Sequence, residues 1–173
     1  EMAGLGQVNF GGVLPTETQI GYLPQDIAEF FSNDSAPTEY AYSSIYEDVA
    51  TLFDATMMSL RYGIERDEAV TPPYDANVGD DSLTVVWGQR GRIKDPLVEP
   101  RAKFVLELMM PQLNADGVMA SLPEVKMLPV DLNWYEAIDL SEGRLGPKQM
   151  RVQSNIDLRY KRPIDLDIKQ KYK

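Results

Sequence analysis

Between residues 44 and 62 apolar side chains recur at Val49, Leu52, Phe53, Met57 and Leu60, the spacing of one face of an α-helix. Ser44 stands where an N-cap belongs, Glu47 three residues later gives the capping-box signature, and Gly63 supplies a stop. This pattern predicts helix from Ile45 to Tyr62. A second helix is predicted to open at Asp95-Pro96 or Glu99-Pro100 and to end at Pro111. Val98, Ala102, Val105 and Met109 share one of its faces, with Phe104 and Leu108 beside it. A shorter helix fits Pro24 to Phe31, where Ile27, Ala28, Phe30 and Phe31 supply the contacts before Ser32-Asn33-Asp34-Ser35 ends it. The β-branched run Ser82 to Trp87 predicts a buried strand, turned outward by Gly88-Gln89-Arg90-Gly91-Arg92.

Other stretches lack a period. Residues 1 to 24 carry Gly and Pro at short intervals and read as loop, or a short strand at Gln7 to Phe10. Residues 71 to 81 read as a long loop, and residues 111 to 147 as irregular chain with one helical turn at Trp134-Tyr135-Glu136. The end of the chain changes character. Met150, Val152, Ile156, Leu158 and Tyr160 alternate with polar residues, and the same parity resumes at Ile164, Leu166 and Ile168 after Pro163. Such a period of two predicts strands with one buried face, an edge or a strand start lying at the proline. The expected fold class is α+β, with the Glu47 helix packed on the 98–110 helix and the terminal strands completing a sheet.

At 173 residues and 43% hydrophobic content the chain suits a single domain or domain fragment. It shows neither an apolar run of membrane-spanning length nor the basic start and apolar centre of a signal peptide. Its opening at Glu1 among closely spaced glycines suits a proteolytic or excised boundary, so a fragment of something longer is expected. The net charge of -10 speaks against nucleic acid as a partner, because a polyanion is held mainly through Lys and Arg. That charge is unevenly spread, dividing the chain into an acidic body, residues 1–141, and a basic tail, residues 142–173. The tail holds 9 basic and 4 acidic side chains. It is expected to lie against the acidic body of its own or a neighbouring chain. No basic amphipathic helix is present to bind anionic membrane.

The absence of histidine and cysteine removes nucleophilic dyads and triads, disulfides, and any self-contained imidazole or thiolate metal set. Asp80-Asp81 and the pair Asp165 and Asp167 read as solvated turn and strand surface, not as a glycosidase pair. Asp75, Asn77 and Asp81 lack the spacing and closing Glu of an EF-hand. The basic loop at residues 88–92 lacks a Lys-Ser/Thr phosphate signature and reads as a connecting turn before an anion site. Glu47 is different. A carboxylate in the first turn of a helix points in a fixed direction, as the third ligand of a two-histidine, one-glutamate zinc site does. Asp48, about 100° further around the axis, would hold a neighbouring group, while Thr51 and Asp54 follow along the Glu47 side within reach of a supporting contact. From the residues alone, Ser-x-x-Glu equally describes an ordinary helix start.

The block Tyr40-Ala41 through Glu47-Asp48-Val49-Ala50 resembles the Tyr-Ala-x-x-Asn-x-x-Glu-Asp-Phe-Ala pattern of zincin-like metallopeptidases. Ser44 or Ile45 stands where Asn is common, and Val49 replaces Phe. In that family a His-Glu-x-x-His helix precedes this segment, and the Glu of the Glu-Asp pair completes the zinc site. The resemblance implies Glu47 as a metal ligand, zinc as cofactor, and a peptide as substrate, hydrolysed by a zinc-activated water. It also implies Tyr40 or Tyr42 in the cleft or on the oxyanion, and a secreted or cell-envelope location. The histidines would have to come from an upstream portion of the same protein or a companion chain, so these residues alone are not expected to be catalytic. The alternative is a non-catalytic binding or structural envelope protein, a degenerate relative or an unrelated α+β module. In that case the tail would add a strand to a partner's sheet.

Overall fold

The computed structural model describes residues 1–139, one of the two units into which the chain divides, Glu1–Asp139 and Leu140–Lys173. The alternating segment read as terminal strands, and the basic tail with it, lie outside the described residues. Among these the elements run α1 (Met2–Phe10), α2 (Glu17–Ile20), α3 (Pro24–Ser32), α4 (Ile45–Tyr62), β1 (Asp67–Val70), β2 (Trp87–Arg90), α5 (Glu99–Met109), α6 (Ala115–Ser121), β3 (Lys126–Met127) and α7 (Trp134–Asp139). Short 3₁₀ turns lie at Glu39–Tyr42, Asp80–Ser82 and Arg92–Lys94. The three strands form one antiparallel sheet in the order β1-β2-β3. Its register runs from Asp67↔Arg90 to Val70↔Trp87 on one side and Gln89↔Met127, Arg90↔Lys126 on the other. The chain therefore has an α+β fold.

Helix α4 follows the predicted bounds because its ends are chemically marked. The Glu47 amide donates to Ser44 Oγ at 3.2 Å, and Gly63 leaves the helix at φ 64°. Only this half of the capping box forms. Leu52 and Ala55 of α4 pack with Val98, Ala102, Val105 and Leu106 around α5 and with Ala115, Met119 and Leu122 of the α6 region. A smaller core joins Met2, Phe31, Ala36 and Ala41, with Trp87 packed against it.

Several expectations are corrected. Residues 2–10 are helix, not loop or strand. Only Met2 and Gly6 are fully buried, with Leu5 and Val8 partly so, and the interspersed glycines mask that short apolar row in the sequence. Gly6 lies so close to the Glu39–Tyr42 turn that an added Cβ would meet Tyr42 Cβ at 2.4 Å. Gly6→Ala is accordingly expected to cost about 2 kcal/mol, read as a lower urea midpoint. The strand predicted at Ser82 to Trp87 begins only at Trp87, and the Gly88-Gln89-Arg90 predicted as a turn forms its ladder. A glycine is required there. A Cβ on Gly88 would stand 2.9 Å from Leu128 Cδ1 and 3.1 Å from the Glu68 carbonyl oxygen. Residues 115–121 form a helix capped by Asn114, where irregular chain was expected. On α5, Leu106 takes the buried position expected of Met109, which is 52% exposed. Phe104 and Leu108 also face outward, lining an open apolar groove of about 420 Å³ with Ile45 and Val49.

Candidate functional site

Thr38 caps the Glu39–Tyr42 turn by accepting the Ala41 amide at 3.3 Å, and the burial of Ala41 fixes the turn against the body. Tyr40 is left half-exposed, its ring meeting Phe10 edge-on at 5.7 Å. Tyr42 packs on Gly6 instead, and its buried hydroxyl has no hydrogen-bond partner among the described residues. Burial first, then the nearby Asp34 carboxylate, pushes that phenol far above its ordinary pKa, so Tyr42 is a neutral group.

Three carboxylates stand along α4, Glu47, Asp48 and Asp54, and their surroundings differ. Asp48 forms an ion pair with Arg101 of α5, and Arg101 also donates to the Ser35 carbonyl at 2.8 Å. This pair ties the start of α4 to α5 and to the chain leaving α3. Asp54 pairs with Arg66 at 2.8 Å on an exposed surface. Glu47 is half-buried, and among the described residues no donor or cation reaches its carboxylate. The Thr51 hydroxyl donates within its own helix, at 2.8 Å to the Glu47 carbonyl and 3.1 Å to that of Asp48. Thr51 therefore braces the first turn and makes no contact with the Glu47 side chain.

Zinc calls for three or four nitrogen, sulfur or carboxylate donors around one point. The described residues contain no group of three His, Cys, Asp or Glu arranged to hold a metal. Glu47 is one donor, Asp48 and Asp54 are taken up by arginines, and the whole chain has no imidazole or thiolate. By itself this set does not fit a zinc ion.

Two features were not legible in the sequence. Arg92, read as part of a basic loop, is buried at 2% exposure. Its guanidinium donates to the carbonyls of Phe31 (2.7 Å), Asp34 (2.8 Å) and Ala36 (2.9 Å) and to Gln89 Oε1 at 2.7 Å. It also stacks 4.3 Å from the centre of the Phe31 ring. Gln89 in turn donates to Asp95 at 2.7 Å, and Arg90 is held by Asp67 through two bonds of 2.7 and 2.8 Å. Both arginines of the candidate anion loop are thus committed to protein partners.

The second feature is a cleft of about 590 Å³ between α1, α3 and β1. Met2, Leu5, Val8, Ile27 and Phe31 make its apolar walls, and Glu39 and Glu68 bring carboxylates to it. Asn9 Nδ2 donates to Glu39 at 2.8 Å, whereas among the described residues no donor reaches the Glu68 side chain. Burial raises the Glu68 carboxyl from its ordinary 4.5 to about 7, with Arg66 and Arg92 opposing the shift and Glu39 and Asp67 adding to it. Glu68 belongs to a four-residue strand with two adjacent acids, a pattern that by itself reads as solvated surface. No helix among the described residues is long and apolar enough to cross a membrane. No protein-family model matches the chain, and neither does any curated protein or solved structure.

Proposed function

We propose that this chain is the glutamate-bearing part of a zincin-like zinc peptidase. Its nitrogen donors would be supplied by protein outside the 173 residues, from a further part of the same protein or from a companion chain. The observation that carries the reading is the contrast along α4. Asp48 and Asp54 are each neutralised by an arginine, while Glu47, fixed in the first turn by the Ser44 cap, has neither ion pair nor donor among the described residues. A carboxylate without a partner is available to accept a cation, and Thr51 stiffens the backbone beneath it. With this reading go a peptide substrate and the secreted or envelope location that the Tyr40-to-Ala50 resemblance implies.

The test is the zinc content of the protein isolated from its natural source with whatever further chain or segment accompanies these residues. Glu47→Gln is expected to lower zinc retention by roughly tenfold or more against a competing chelator. Asp54→Asn, on the same side of the helix, is expected to leave it unchanged. Equal zinc stoichiometry in the wild type and Glu47→Gln would end the proposal.

A further inference from the structure

We infer that the cleft between α1, α3 and β1 is a binding site for a small organic amine, its apolar body between the helices and its ammonium on Glu68 and Glu39. The cleft has the volume of a small-molecule site, about 590 Å³, and none of its lining residues belongs to α4, so the site is independent of Glu47. Its composition is that of an amphipathic ligand site. Met2, Leu5, Val8, Ile27 and Phe31 offer no hydrogen bond to a ligand's body, while Asn9 and Thr71 provide polar rim.

The sign of the ligand's charge follows from the acids. Glu39 and Glu68 are the charged groups that line the cleft; Arg66 and Arg92 meet Glu68 at a separate small pocket, where they are already engaged by Asp54 and by backbone carbonyls. Glu68 and Val70 share one face of β1, because alternate residues of a strand do, and both line the cleft with Ile27 and Phe31 of α3. A half-buried carboxylate that meets no protein donor among the described residues is costly to keep ionised, and a ligand ammonium would supply hydrogen bonds and the opposite charge together. An anionic ligand would meet the reverse. Its charge would face two carboxylates across low-dielectric walls, and the apolar contacts would have to overcome that repulsion.

Three six-carbon probes differing only in the head group separate these cases: hexylamine, hexanol and hexanoate, titrated by NMR against the protein at about pH 8, where an alkylamine is still protonated. Hexylamine is expected to bind roughly tenfold or more tighter than hexanol, and hexanoate more weakly than either. Glu68→Gln is expected to remove the amine's advantage and leave hexanol binding unchanged. Leu5→Trp, which fills the cleft, is expected to abolish the binding of all three. Equal affinities for amine and alcohol would overturn the assignment, as would an amine affinity indifferent to Glu68→Gln. Binding that survives Leu5→Trp would place the ligand elsewhere and overturn it too.

Discussion

Arg92→Ala is expected to destabilise the described unit by about 4 kcal/mol, well above the cost of truncating a side chain that serves a single partner. The guanidinium satisfies three backbone carbonyls where the chain leaves α3, at Phe31, Asp34 and Ala36, and anchors Gln89 of β2. Truncation would take away the guanidinium donor at the Asp34 and Ala36 carbonyls and at Gln89 Oε1, leave the Phe31 carbonyl only its backbone donors, and remove the cation from the faces of Phe31 and Trp87. Arg92→Lys is expected to recover about half of the loss at most, because a single ammonium cannot reproduce a planar fork aimed at separate acceptors. Urea unfolding of the wild type and both variants measures this. A cost below about 1 kcal/mol for Arg92→Ala would mean that water replaces the guanidinium at those carbonyls.

Glu68→Gln should act in the opposite direction. The folded state raises this carboxyl from 4.5 to about 7, so between these values the native protein binds a proton that the unfolded chain has released. Stability therefore falls as pH rises through that window, and the full penalty is present above it. A neutral amide removes the titration. The variant is expected to be more stable than the wild type by about 2 kcal/mol at about pH 8, after allowance for partial solvation, and nearly equal to it at about pH 4.5. Unfolding curves at the two pH values test the sign as well as the size. A pH-independent difference would show that Glu68 keeps an ordinary carboxyl in the fold. If the gain appears and amine binding is lost with it, the cost of holding Glu68 is tied to ligand recognition, a common trade between stability and function.

The charge contrast along α4 explains why chemistry was harder to read than structure. Ser44, Glu47 and Gly63 act within a few residues of themselves, so the bounds of α4 could be taken from the letters alone. Asp48 and Glu47 are neighbours in sequence and alike in chemistry, yet one meets Arg101, 53 residues away, and the other meets no donor among the described residues. No local signal distinguishes them. The same applies to Arg90 and Arg92, which read as one basic loop but enter two unrelated networks, with Asp67 across the sheet and with the carbonyls of the α3 exit. The helix at Met2–Phe10 leaves little trace in the letters because glycines interrupt its short apolar row and its close packing depends on the missing side chain of Gly6.

By itself the sequence determined the α+β class, the extent of α4, and the absence of any nitrogen or sulfur side chain that could complete a zinc site within these residues. Each of these follows from composition, or from interactions spanning a turn or two of helix. Tertiary structure alone decided that Arg92 is a buried brace, that Glu47 stands apart from its paired neighbours, and that Glu39 and Glu68 open onto one cleft. Those outcomes depend on which distant backbone or charge arrives beside a side chain, and packing settles that through the summed burial of the two cores.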